Sequence, residues 1–175
     1  IRTPINAILG YGEILEEMID DKEQLDYIRT VNTSGEALLT IINDILDFSK
    51  IEAGKLVFED LEFDPEVLAY DICEMIRPKI IHTDLELLCH IGIDTPDCVK
   101  GDPGRLRQVL VNLLGNAVKF TETGEIEFGL KLVSEDTDEY ELEYSIRDTG
   151  LGIAKDIQAQ LFQAFQQADG SITRK

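Results

Sequence analysis

The sequence of 175 residues has no tryptophan, two histidines, three cysteines, and only 16 basic residues against 35 acidic ones. The shortage of Lys and Arg, with a formal charge of −19, argues against a nucleic-acid partner, because phosphate contacts need basic clusters. Cys73, Cys89 and Cys98 are odd in number and lack metal-ligand spacing. They are expected to be reduced, mostly structural thiols of an intracellular domain. His82 and His90 stand in no spacing of Asp, Glu or Cys that suggests a site, and read as surface or packing residues. No apolar run approaches the roughly 20 residues of a membrane helix. Neither a signal peptide, a low-complexity segment nor an internal repeat is visible. The chain itself is expected to be soluble, with any membrane attachment through segments outside it.

The residues that are present suffice for a packed core. Apolar residues make up 43% of the chain, enough for one ordinary domain and a hairpin. Ile1, Ile5, Ile8, Gly12, Leu15 and Ile19 recur at alternating steps of four and three, which is a heptad seam. Leu25, Ile28, Asn32, Gly35, Leu39, Ile42 and Leu46 follow the same rhythm, and Val31, Leu38, Ile41, Ile45 and Phe48 form an adjoining apolar line. The second helix is thus apolar over a wider arc than one partner helix covers. A homodimer through residues 1–52, closing into a four-helix bundle, is the expected remedy. Pro4 either occupies the first turn of its helix or kinks a longer one.

The hairpin is expected to end near Gly54, a glycine at a C-cap position, which divides the chain into domains 1–54 and 55–175. Beyond it, Leu56–Phe63 reads as a strand, Pro65–Ile80 as a helix and Leu85–Ile91 as a strand. Asp102 caps a long helix opened by Pro103. Ile126–Val133 and Tyr140–Ile146 read as an antiparallel pair joined by the acidic loop 134–139. Residues 157–168 carry Leu161, Phe162 and Phe165 at the spacing of a short amphipathic helix. The fold class is α+β, with a layer of helices on one face of a mixed sheet.

Two segments carry chemistry. In Arg105-Leu-Arg-Gln-Val-Leu-Val-Asn112-Leu-Leu-Gly-Asn116-Ala-Val-Lys119-Phe120, the amides of Asn112 and Asn116 lie one helical turn apart on one face, with Lys119 on the same side. That face offers oxygens to a metal and an amine to a phosphate. Asp148-Thr-Gly150-Leu-Gly152 comes after an alternating run, and its glycines let backbone approach a ligand closely. The Asp148 carboxylate can accept from an adenine amino group. With the net charge so negative, such a site must be locally positive, through a metal ion, Lys119 and helix N-termini.

The two segments resemble the N box and first glycine box of the GHKL family, whose Bergerat fold binds ATP. The opening run Ile1-Arg2-Thr3-Pro4-Ile5-Asn6-Ala7-Ile8 is similar to the H box of sensor histidine kinases. In that family the phosphoacceptor His and an acidic residue stand immediately before such a run, and no such His is present here. Leu161-Phe-Gln-Ala-Phe-Gln-Gln-Ala-Asp169-Gly-Ser resembles the family's F box and the start of its ATP lid, so the ATP-binding domain is expected to be truncated in that lid. The resemblance covers nearly the whole chain. It implies that Asn116 holds Mg2+ against the phosphates with Asn112 beside it, that Lys119 contacts phosphate, and that Phe120 lines the adenine or ribose wall. It also implies that Asp148 receives the adenine amino group while Gly150 and Gly152 let the turn pass close to the base. Ile153, Phe162 and Phe165 complete the cofactor-binding set. Thr3, four residues after the place of the absent His, would serve in dephosphorylating a receiver.

Taken together, the resemblance implies the catalytic core of a sensor histidine kinase, hybrid or not. Within a longer parent it would use ATP and Mg2+ to phosphorylate a hairpin His and then a response-regulator receiver. These residues by themselves are expected not to autophosphorylate. The domain would be cytoplasmic, within a parent that an inner-membrane anchor would suit. Two other readings share the motifs: a non-catalytic scaffold that dimerises and docks partners, and a GHKL ATPase outside signalling. The heptad hairpin and Ile-Arg-Thr-Pro count against the latter.

Overall fold

A computed structural model of the chain describes residues 2–137 and 139–158. They fall into two compact units, the first ending at Val57 and the second beginning at Phe58.

The first unit is a helical hairpin of α1 (Arg2–Met18) and α2 (Lys22–Glu52). The Asp21 side chain caps α2 by accepting from the Gln24 N–H at 3.0 Å, which satisfies one of the unpaired donors of the first turn. The far end closes as the glycine at position 54 predicts. Gly54 has φ +64°, its N–H donates to the Ile51 carbonyl, and the Lys55 N–H reaches back to the Lys50 carbonyl, a Schellman ending.

The seam within the hairpin differs in detail from the sequence pattern. Ile5, Gly12 and Asn32 are buried, but Ile8 and Leu15 are 51% and 42% exposed. Leu9 and Glu16 take their places. Leu9 lies against Gly35, and Glu16 meets Arg29 at 2.7 Å and the Asn32 amide at 3.3 Å. The reason lies in the α-helical period: Ile5, Leu9, Gly12, Glu16 and Ile19 keep the same four-three rhythm on a face turned by one residue, and only the second helix can choose between the two faces. Val31, Leu38, Ile41 and Ile45 on α2, with Tyr11, Ile14 and Met18 on α1, are all about half exposed or more.

The second unit is an α/β sandwich. A three-stranded mixed sheet runs in the order β2 (Asp84–Ile91), β4 (Thr123–Glu135), β5 (Tyr140–Asp148), with β2 parallel and β5 antiparallel to β4. Helices α3 (Pro65–Ile80) and α4 (Pro103–Phe120) supply the rest of the core. Ile126, Phe128 and Leu130 alternate inward along β4 and are essentially fully buried, against Leu68, Ile72 and Ile76 of α3 and Leu110 and Leu114 of α4. Glu125 and Glu127 point the other way in the pleat, which gives the polar second face of an antiparallel-type sheet.

Two short strands, β1 (Leu61–Phe63) and β3 (Val99–Gly101), make a separate antiparallel ribbon. The strand expected over Leu56–Phe63 is therefore only its last three residues. Leu56 to Asp60 lie outside regular structure, and the Glu59 N–H is bonded to the Asp102 carboxylate at 3.1 Å instead of to a neighbouring strand. β3 is too short to show an alternation in sequence. After β5 comes α5 (Lys155–Gln158). Phe162 and Phe165, with the helix expected over residues 157–168, lie outside the described residues but for its first two positions.

Candidate functional site

Helix α4 starts where Asp102 and Pro103 predict. The Asp102 carboxylate accepts from the Arg105 N–H at 2.9 Å and the Glu59 N–H at 3.1 Å, and Pro103 takes the first turn, where no N–H is needed. These two backbone donors hold the Asp102 carboxyl below the usual carboxylate range, the Arg105 bond being the larger cause. The apolar positions Leu110, Leu114 and Ala117 turn one face of α4 into the core. Asn112, Asn116, Lys119 and Phe120 are left exposed by that choice, with Val109 and Leu113 among them. The Lys119 ammonium lies 5.1 Å from the Phe120 ring centroid, a cation–π contact.

The C-terminal end of α4 meets the turn after β5. Thr121, in extended conformation, ends the helix and is 2% exposed. The Leu151 N–H donates to the Phe120 carbonyl at 3.3 Å, while on the other side the Thr149 N–H donates to the Glu125 carbonyl of β4 at 3.2 Å. The Thr149 hydroxyl also accepts from the Glu125 N–H at 3.0 Å. The turn is therefore stitched to a helix on one flank and to a strand on the other.

Within it the Asp148 Oδ1 accepts from the Gly150 N–H at 2.9 Å and faces the Thr121 hydroxyl, a donor at 3.5 Å. Its second oxygen has no hydrogen-bond partner among the described residues, so the side chain keeps one acceptor for a ligand. A side chain at Gly150 would collide with the Phe120 carbonyl and crowd Thr121 and Asp148. Gly152 has φ +65°, the left-handed region that glycine enters without steric cost. Leu151 and Ile153 are exposed beside it.

Phe120, Asp148, Gly150 and Leu151 are thus brought together by hydrogen bonds and close approach. Asn116 and Asn112 stand on the exposed face of the same helix, about 6 Å and about 12 Å back from Phe120 at the helical rise. Thr3 is exposed in the first turn of α1, in the other unit. His82 and His90 are exposed in the second unit. Thr121 escaped sequence reasoning, because a threonine after a helix is unremarkable until its partner across the fold is known.

No group of three or more His, Cys, Asp or Glu among the described residues could hold a metal. The exposed amide oxygens of Asn116 and Asn112 are hard, neutral donors, which suits Mg2+ held largely by phosphate and water rather than by a carboxylate cage. Among the described residues no helix is long and apolar enough to cross a membrane.

Comparison with known proteins finds two family models that match separate parts of the chain. Residues 1–54 match the model of the His Kinase A (phospho-acceptor) domain, and residues 101–175 match that of the histidine kinase-, DNA gyrase B- and HSP90-like ATPase. The chain is 45% identical over 175 residues to sensor histidine kinase GacS of Pseudomonas protegens, covering all of this chain and 19% of that protein. Full-length ShkA in complex with AMPPNP superposes with a TM-score of 0.77 at 35% identity, over 97% of this chain and 35% of that one. Histidine kinase ThkA in complex with response regulator protein TrrA gives a TM-score of 0.61 at 26% identity, over 95% of this chain and 47% of that one. The chain therefore spans about a fifth of the length of the curated relative. The two family models together cover well over half of the chain, and with a helical hairpin followed by a GHKL-type α/β sandwich it belongs to the sensor histidine kinases of two-component signalling.

Proposed function

We propose that the chain is the catalytic core of a sensor histidine kinase, in which residues 55–175 bind Mg-ATP and residues 1–54 form the dimerising hairpin. The observation that supports this most is the Asp148 carboxylate, fixed through one oxygen at the end of α4 and open at the other. It would accept from the adenine amino group, with Phe120 and Ile153 as apolar walls and with the glycine turn close to the base. From there the triphosphate would run back along the exposed face of α4, where Lys119 contacts phosphate. Asn116, with Asn112 beside it, would hold Mg2+, which supplies charge neutralisation at the phosphates when bound. Phe162 and Phe165 would belong to the same cofactor-binding set.

Transfer of the γ-phosphoryl group asks the protein for positioning and charge neutralisation more than for covalent chemistry. Residues 1–54 contain no histidine; in this reading an acceptor His would stand in a longer parent, which would pass the group on to an Asp of a response-regulator receiver. Thr3 would serve the reverse reaction on that receiver. The half-exposed apolar rows of the hairpin, Tyr11, Ile14 and Met18 on α1 and Val31, Leu38 and Ile45 on α2, keep heptad spacing, and a second copy would bury them in a four-helix bundle. The domain would face the cytoplasm, with any anchor in the inner membrane supplied by segments outside this chain.

Calorimetric titration of the chain with Mg2+ and a non-hydrolysable ATP analogue tests the reading. Binding that is lost in both Asn116→Ala and Asp148→Asn is expected. Failure of the unaltered chain to bind would overturn the nucleotide assignment.

A further inference from the structure

We propose that Thr121 is a positioning residue for base recognition: its hydroxyl holds one oxygen of the Asp148 carboxylate, so that the other stays directed at the amino group of adenine. This rests on the nucleotide reading above. Thr121 is 2% exposed, and a hydroxyl so buried needs a partner. That partner is Asp148 Oδ1, at 3.5 Å. The same oxygen accepts the Gly150 N–H at 2.9 Å. Two donors from segments far apart in sequence, the end of α4 at the longer distance and the turn after β5 at the shorter, thus meet at one carboxylate oxygen.

The local chain explains why a threonine does this. Thr121 ends α4 in an extended conformation, and its β-branch restricts χ1, so the hydroxyl has little freedom to turn elsewhere. The absence of a side chain at Gly150 lets the turn close onto it: a Cβ there would lie 2.7 Å from the Thr121 hydroxyl oxygen. An acceptor held in this way favours a purine that presents an amino group, and disfavours one that presents a carbonyl oxygen to the carboxylate.

The test compares two ligands on three forms of the chain, each with Mg2+. One ligand is a non-hydrolysable ATP analogue and the other is its counterpart with hydrogen in place of the amino group. The unaltered chain is expected to prefer the amino-bearing ligand. In Thr121→Val its affinity should fall about fivefold while that for the other ligand changes little, which narrows the preference. Thr121→Ser should restore the preference. Equal losses for both ligands in Thr121→Val would assign Thr121 to packing alone and overturn the proposal, as would no loss for either. An unaltered chain that binds both equally well would overturn the role of Asp148 in base recognition and this proposal with it. An unaltered chain that binds neither overturns the nucleotide reading itself.

Discussion

Asn32 of α2 fills the space that Gly12 of α1 leaves open: a Cβ on Gly12 would overlap the Asn32 carboxamide oxygen. That oxygen is buried without a hydrogen-bond partner among the described residues, while the amide nitrogen donates to Glu16. The pair ties the register of the hairpin to a contact that only glycine permits. Gly12→Ala should therefore destabilise the hairpin by about 1–3 kcal/mol through overpacking. Adding Asn32→Ala should recover part of the loss, because the clash needs both side chains. Thermal unfolding of the four forms by circular dichroism measures this; strictly additive effects would contradict the contact.

The two glycines of the turn after β5 should respond differently. Gly150→Ala drives a Cβ into the Phe120 carbonyl, Thr121 and Asp148, so it should abolish nucleotide binding by spreading the turn from α4. Gly152→Ala meets no neighbouring atom and costs only the left-handed conformation, about 1–2 kcal/mol of stability. Titration with an ATP analogue should show weakened but measurable binding for the second variant and none for the first.

Asp102 makes the stability of the second unit sensitive to acid. Its folded carboxyl is held below the usual carboxylate range, chiefly by the Arg105 N–H and then by the Glu59 N–H. A depressed carboxylate contributes stability that is present above its unfolded pKa, about 3.9, and is lost as the pH falls through the folded value. Asp102→Asn should lower Tm by a few degrees at pH 7, because an amide serves two donors less well. The gap to the unaltered chain should close as the pH is lowered below about 4. A gap independent of pH would show that the charge plays no part.

Residues 1–175 incubated with Mg2+ and ATP labelled in the γ-phosphate should acquire no acid-labile phosphate. The two histidines, His82 and His90, are exposed in the second unit and absent from the hairpin. Label that is stable to base and released by acid would place an acceptor on one of them and overturn the expectation.

Much of the architecture is legible in order along the chain. Asp102 followed by Pro103, and Gly54 after the last heptad residue, are local signals, and the structure places helix ends where they predict. The strands that alternate over many residues, β2, β4 and β5, are equally visible. The ribbon of β1 and β3 is not, because three residues are too few to show a period of two and its pairing partner lies far away in sequence.

The sequence by itself determined the long elements, their order and the residue types that suit a nucleotide, because capping, periodicity and turn chemistry act over a few residues. Tertiary structure decided the rest. Leu9 rather than Ile8 faces α2, since the choice between two equally spaced faces is made by the side chains of the opposing helix. Thr121 meets Asp148 only because the end of α4 and the turn after β5 close on each other, and no spacing along the chain encodes which carboxylate oxygen that contact takes and which it leaves open.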